Sequence, residues 1–192
     1  LCAAFAAAAV RGYQGDDLAH GGTLAACGKH FAGYGAPLAG SEYAQVELSP
    51  AIFQSDYLSG YRACIDAGSK LMMTAFNTVD GIPASGSKPL LRGVLRGQLG
   101  FAGLLISDYS AIAEMIRHGC AEDRRAAARL ALEAGVDMEM VGVCYVRELD
   151  ALVRDGEIAQ CLIDEAAWRV LKLKNDLGLF EDPYRGADAE KF

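Results

Sequence analysis

Residues 103–112 read GLLISDYSAI. Leu104, Leu105 and Ile106 make a short apolar run of the kind that forms a strand covered on both faces. The run then stops abruptly on Ser107, Asp108 and Tyr109. An unpaired carboxylate at the end of a buried strand is costly. Asp108 is therefore either a solvated residue capping the short helix "YSAIAEMIRHG" or a group held there for its chemistry.

The same unit recurs outward from that strand. "TLAACGKHF" (23–31), "SKLMMTAFN" (69–77) and "VDMEMVG" (136–142) are further short apolar runs, and helical stretches lie between them. The first helix covers 1–12. A second covers 49–68, with Ser49 as N-cap, Pro50 in the first turn and Gly68 past the end. Others cover 88–100 and 121–135, the latter ended by Gly135. "YVRELDALVRDG" and "AQCLIDEAAWRVLKLKNDLGLF" read as two helices parted by Gly156, and "EDPYRGADAEKF" as irregular chain. Strand, loop and helix repeated four times predict an α/β fold with a parallel sheet. Four strands make a half-barrel or an open sheet.

Composition narrows the function. The 192 residues are 52% apolar and 22% charged, with 25 acidic and 18 basic side chains and a net charge of −7. No basic run points to nucleic acid. No GxGxxG or GxxxxGK[ST] follows a strand, so neither a dinucleotide nor a P-loop nucleotide is indicated. The six cysteines (Cys2, Cys27, Cys64, Cys120, Cys144, Cys161) have no zinc-type spacing. They are expected as buried free thiols, which favours a reducing, cytoplasmic setting. The opening "LCAAFAAAAV" is too short to span a bilayer and has no basic leader. It starts as helix without a cap, so further chain is expected upstream. Met72, Met73, Met138 and Met140 are expected as core packing rather than a ligand platform.

In α/β folds the carboxyl ends of the strands line the active site. Here those ends carry Lys29–His30, Phe76–Asn77, Ser107–Asp108 and Glu139–Met140. Asp108 is the candidate nucleophile or general base. His30 is a rim group or a hydrogen-bonded structural histidine. Arg11 either meets the dipole of the first helix or reaches the rim. Lys29 at a strand end also admits a different enzyme class, a Schiff-base lyase or aldolase. A non-catalytic half-barrel that only binds a ligand is a third reading.

At these residues the chain resembles a known family. "VRGYQG" (10–15), "KHFAGYGA" (29–36), "MTAFNTVDGIPA" (73–84), "LLRGVLRGQLGFAGLLISDYSAI" (90–112), "AGVDMEM" (134–140) and "VLKLKNDLGLFEDPY" (170–184) are similar, in order, to blocks of family 3 glycoside hydrolases. Bacterial β-glucosidases and β-xylosidases are the nearest match. The resemblance implies a retaining glycosidase on a TIM-type (β/α) barrel, acting on a β-glucoside or β-xyloside without metal or organic cofactor. It makes Asp108 the nucleophile and Arg11, Lys29, His30, Phe76, Tyr109 and Met140 the sugar-binding residues. Phe76 stands where the family often has tyrosine. The family's acid/base comes from a later sandwich domain, and Glu42, Glu47 and Glu139 are candidates here by residue type alone. The loop lacks the Asp-His pair of the N-acetylglucosaminidase subgroup. The implied organisation is a partial barrel over 1–180, holding its second half, and a linker over 181–192. The open sheet edges would be covered by the other barrel half and the sandwich domain, or by a second copy. A periplasmic or secreted setting stays open beside the cytoplasmic one, because any leader is expected upstream.

Overall fold

A computed structural model describes residues 1–187, so the last five residues of the expected linker lie outside the described residues. The strands are β1 (Cys27–Phe31), β2 (Gln45–Val46), β3 (Leu71–Thr74), β4 (Thr78–Val79), β5 (Ile82–Pro83) and β6 (Leu104–Ile106). The α-helices are α1 (Cys2–Gln14), α2 (Pro50–Ile52), α3 (Ser59–Asp66), α4 (Ala111–Glu114), α5 (Arg124–Ala134), α6 (Cys144–Arg154) and α7 (Gln160–Asp176).

The main sheet runs β1–β3–β6, all parallel, with Cys27 opposite Leu71 and Leu71 opposite Leu104. It is one wall of a (β/α) barrel. The fourth expected strand, over 136–142, is reduced to a single parallel bridge between Ile106 and Met138. The physical reason is Asp137, whose carboxylate takes the Leu105 N–H at 2.8 Å. A side chain thus does part of the pairing that a backbone ladder would do.

Local chemistry set most boundaries. Ser49 caps α2 by accepting from the Ile52 N–H, and Asp123 caps α5 by accepting from the Ala126 N–H. Gly135 ends α5 in the left-handed conformation. The helix expected over 49–68 is instead interrupted. Residues Phe53–Tyr57 form a wider turn, with the Leu58 N–H reaching back to the Phe53 carbonyl, before α3 begins. Pro89–Gln98 has the same wide pitch. A small second sheet, β2–β4–β5, was not expected. Its β4–β5 hairpin turns on Asp80 and Gly81, both at positive φ, as a two-residue hairpin requires.

Phe31, Leu58, Met72, Leu91, Leu95, Leu105, Ile112 and Leu132 fill the core. Met72 is the core methionine of the expected cluster, while Met73, Met138 and Met140 are only half-buried. Gly28 is required opposite it, because a Cβ there would stand 2.9 Å from the Met72 sulfur. The cysteines correct the sequence expectation. All six are free, but only Cys144 is buried, Cys64 is half-buried, and the other four are exposed.

Beneath the sheet lies a buried ionic cluster. Arg96 donates to Asp137 at 2.7 Å and Arg169 donates to the other oxygen at 2.8 Å. Arg96 also donates to the carbonyls of Gly103 and Gly135. Its side chain is 10% exposed and that of Asp137 is 2% exposed. Stripping one partner from such a cluster leaves a buried charge. Arg96→Ala is therefore expected to lower stability by about 3–5 kcal/mol, read from the urea unfolding midpoint.

Candidate active site

β6 ends at Ile106, and the next two residues turn the backbone into the site. The Asp108 N–H donates to Thr74 Oγ1 at 3.4 Å, and that hydroxyl shares a 2.7 Å hydrogen bond with Ser85. Ser107 Oγ donates to the Asp108 carbonyl and accepts from the Met140 N–H, both at 2.9 Å. Asp108 is thereby anchored to β3 on one side and to the 138–140 strip on the other.

Its carboxylate is unequally used. Oδ1 accepts the Tyr109 N–H at 2.6 Å. Oδ2 is buried, accepts no hydrogen bond, and lies 3.4 Å from His30 Nε2. The carboxylate does not cap the following helix, since α4 begins behind Ser110 without a side-chain cap. An acceptor left without a donor costs roughly 1–3 kcal/mol. That is unfavourable for stability and suited to an oxygen that must attack.

His30 is held from behind. Its carbonyl accepts from the Tyr61 hydroxyl at 2.5 Å, and its ring packs 4.6 Å from that of Tyr34. The Tyr34 phenol donates to Glu42, which pushes it up to about 12. Burial draws the His30 imidazole below its usual 6.5; the Asp108 charge opposes this and the Lys29 charge adds to it. The peptide bonds Lys29–His30 and Phe31–Ala32 are cis.

The other candidates are placed as follows. Lys29 is exposed and borders a 280 Å³ pocket with Cys2, Ala6, Asp56 and Tyr57. Arg11 is exposed in the last turn of α1. Among the described residues neither makes an ion pair, and the basic side chain that lies against Asp108 is His30. Phe76 stacks 4.7 Å from Tyr43, and Tyr109 is 60% exposed. Met140 is half-buried, its carbonyl accepting from the Ser110 N–H. Glu139 is removed as an acid/base candidate, because its two oxygens accept the N–H groups of Cys144 and Tyr145 at the start of α6. Glu47 is occupied by the neighbouring Gln45 amide.

Sequence reasoning passed over Thr74, Tyr34 and Tyr61. The one available signal was Thr74, a hydroxyl closing the otherwise apolar "LMMT" of β3. The backbone around the rim is strained too. Ser110, Val141 and Val143 all sit at φ between 54° and 58°, where a β-branched residue is an outlier. Such strain collects at ligand-binding sites.

A parallel (β/α) wall thus presents a buried carboxylate and an imidazole at its carboxyl edge, where α/β folds place their active sites. The chain belongs to glycosyl hydrolase family 3: the profile of that family's N terminal domain matches residues 1–173. It is 42% identical over 175 residues to a periplasmic beta-glucosidase of Salmonella typhimurium, covering 91% of this chain and 23% of that protein. A putative beta-xylosidase of Formosa agariphila is 36% identical over 180 residues, covering 92% of this chain and 24% of that protein. A beta-glucosidase from Listeria innocua in complex with isofagomine superposes with a TM-score of 0.92 at 52% identity, covering 96% of this chain and 26% of that one. A mutant of the same enzyme, in complex with laminaribiose, gives 0.93 at 53% identity, covering 95% and 26%. The chain thus spans about a quarter of the length of these relatives.

One consequence concerns His30. Its folded value lies below its unfolded value, so the unfolded state binds more protons and stability falls as pH drops through 6.5. Proton NMR titration is expected to give a His30 midpoint below 6.5, and His30→Gln to flatten the acid-side loss of stability. A midpoint above 6.5 would mean that the Asp108 charge outweighs burial.

Proposed function

We propose that this chain carries the nucleophile side of a retaining β-glycosidase site that removes a terminal non-reducing glucose or xylose. The observation that carries it is Asp108 Oδ2, buried, without a donor and 3.4 Å from His30 at the carboxyl edge of the parallel wall. The names of the relatives support the β-glucoside or β-xyloside class.

In this reading Asp108 Oδ2 attacks the anomeric carbon of the bound sugar. The glycosidic C–O bond breaks, and the departing oxygen takes a proton from a general acid. Water, deprotonated by the conjugate base of that acid, then displaces Asp108 and releases the sugar. His30, neutral at pH 7, hydrogen-bonds a sugar hydroxyl. Lys29 and Arg11 reach the same sugar with their long side chains, and Phe76, Tyr109 and Met140 shape its walls. The acid is taken from elsewhere in the enzyme, since Glu139 holds the start of α6 and Glu42 and Glu47 each accept from a neighbouring side chain. Residues 1–180 then form the barrel part and 181–192 lead on. The other barrel half, the sandwich domain or a second copy covers the sheet edges, which otherwise expose unpaired backbone. The periplasmic relative favours that compartment over the cytoplasm, and among the described residues no helix is long and apolar enough to cross a membrane.

The test is trapping with 2-deoxy-2-fluoro-β-glucosyl fluoride, whose leaving group needs no acid. Peptide mass spectrometry is expected to find the sugar on Asp108, and none after Asp108→Asn. A label on Lys29, or no label, would overturn the proposal.

A further inference from the structure

We infer that Ser85 is a positioning residue for the nucleophile: acting through Thr74, its hydroxyl fixes where the Asp108 backbone stands and so where the free carboxylate oxygen points. The inference rests on the glycosidase reading above. It assigns part of the aim of Asp108 to the short turn Ala84–Gly86, which follows the small second sheet.

The two bonds in this chain of contacts differ in strength. At 3.4 Å the hydrogen bond from the Asp108 N–H to Thr74 Oγ1 is long for its type. The 2.7 Å bond between the Thr74 and Ser85 hydroxyls has the usual O–H···O length. A threonine hydroxyl leaves a long partner simply by turning about its Cα–Cβ bond. The short bond to Ser85 holds it in the rotamer that meets Asp108. Thr74 is 0% exposed and Ser85 1%, so each hydroxyl is shielded from bulk water and depends on the other.

The turn that carries Ser85 is itself braced. The Ala84 N–H donates to the Asn77 carbonyl at 3.1 Å, and the Ser87 N–H to the Ala84 carbonyl at 3.3 Å. The buried Asn77 amide donates to the carbonyls of Ala32 at 3.1 Å and Thr78 at 3.2 Å, which ties this segment to the backbone just past His30. On the other flank Gly86 admits Met115, the residue after α4, since a Cβ there would stand 2.7 Å from the Met115 sulfur. Ser85 thus stands on a scaffold that joins the ends of β1 and β3 to the chain beyond Asp108. Stability alone does not call for the hydroxyl pair, because replacing both members of a buried hydrogen bond by apolar groups of the same shape costs little. What apolar replacements would not supply is an acceptor for the Asp108 N–H that is unable to swing away.

The experiment uses the gene product that contains this chain and follows its trapping by 2-deoxy-2-fluoro-β-glucosyl fluoride. Two quantities are read: the first-order rate constant at saturation and the concentration giving half of it. The rate constant belongs to each folded site, so a merely structural role, which lowers the folded fraction, leaves it unchanged. Ser85→Ala is expected to lower it about tenfold, the scale of a small misplacement of a reacting group, with the half-saturating concentration little changed. Thr74→Val is expected to lower it at least as far, and Thr74→Ser, which keeps the hydroxyl, to retain most of the rate. That pair carries the test if Ser85→Ala does not fold. An unchanged rate constant in Ser85→Ala, a change confined to the half-saturating concentration, or a Thr74→Ser as slow as Thr74→Val would each overturn the inference. A parent protein that is never labelled on Asp108 takes down the glycosidase reading and this inference with it, a result distinct from variants that are labelled at the wild-type rate.

Discussion

The carboxylate of Asp137 organises this wall. Both of its oxygens are taken by guanidinium groups, and one also takes the Leu105 N–H. That single side chain therefore fixes β6, the Pro89–Gln98 helix that carries Arg96, and α7, which carries Arg169. Arg169 continues to Glu165, and Glu165 to Arg92, which donates to the Glu133 carbonyl at the end of α5. Desolvating such charges is expensive, and the cluster repays it only because nearly every donor and acceptor is matched. Its role is positional: it sets the register between β6 and the 136–140 strip, from which Asp108 and Met140 emerge side by side.

What stands above the sheet follows from that register. Ser107 joins the two emerging backbones through one hydroxyl, and Thr74 joins the same corner to β3. With the backbone held on both sides, the Asp108 carboxylate keeps one oxygen on the Tyr109 N–H and leaves the other facing His30. The fold thus maintains a local unfavourable arrangement, an unmatched buried acceptor, by surrounding it with matched ones.

How much of this the sequence disclosed depended on whether a signal was local. Ser49 and Gly135 declare helix ends by residue type, and the structure places each at its cap, whereas Asp123 caps α5 two residues inside its expected start. "GLLISD" declares a buried strand ending in a carboxylate, and that too is found. The 136–142 run has the composition of a strand, but Asp137 turns inward as an ion-pair ligand and substitutes for the ladder, leaving one bridge at Met138. The widened turns at Phe53–Tyr57 and Pro89–Gln98 were not legible, because no single residue type in either stretch declares an i→i−5 bond. The approach of His30 to Asp108 is a tertiary outcome: β1 meets β6 only through β3, and no local feature of the sequence carries that distance. Exposed cysteines such as Cys27 and Cys161 show the same limit, because an apolar context in sequence does not say which face is covered.

The central claim is that the free oxygen of Asp108 forms a bond to the anomeric carbon, and it is tested most directly by replacing that oxygen. In Asp108→Gly, sodium azide can enter the space of the missing carboxylate and attack from the same side. With 4-nitrophenyl β-glucoside the account predicts that azide restores cleavage and that the product is the α-glucosyl azide. No rescue, or a β-glucosyl azide, would contradict it.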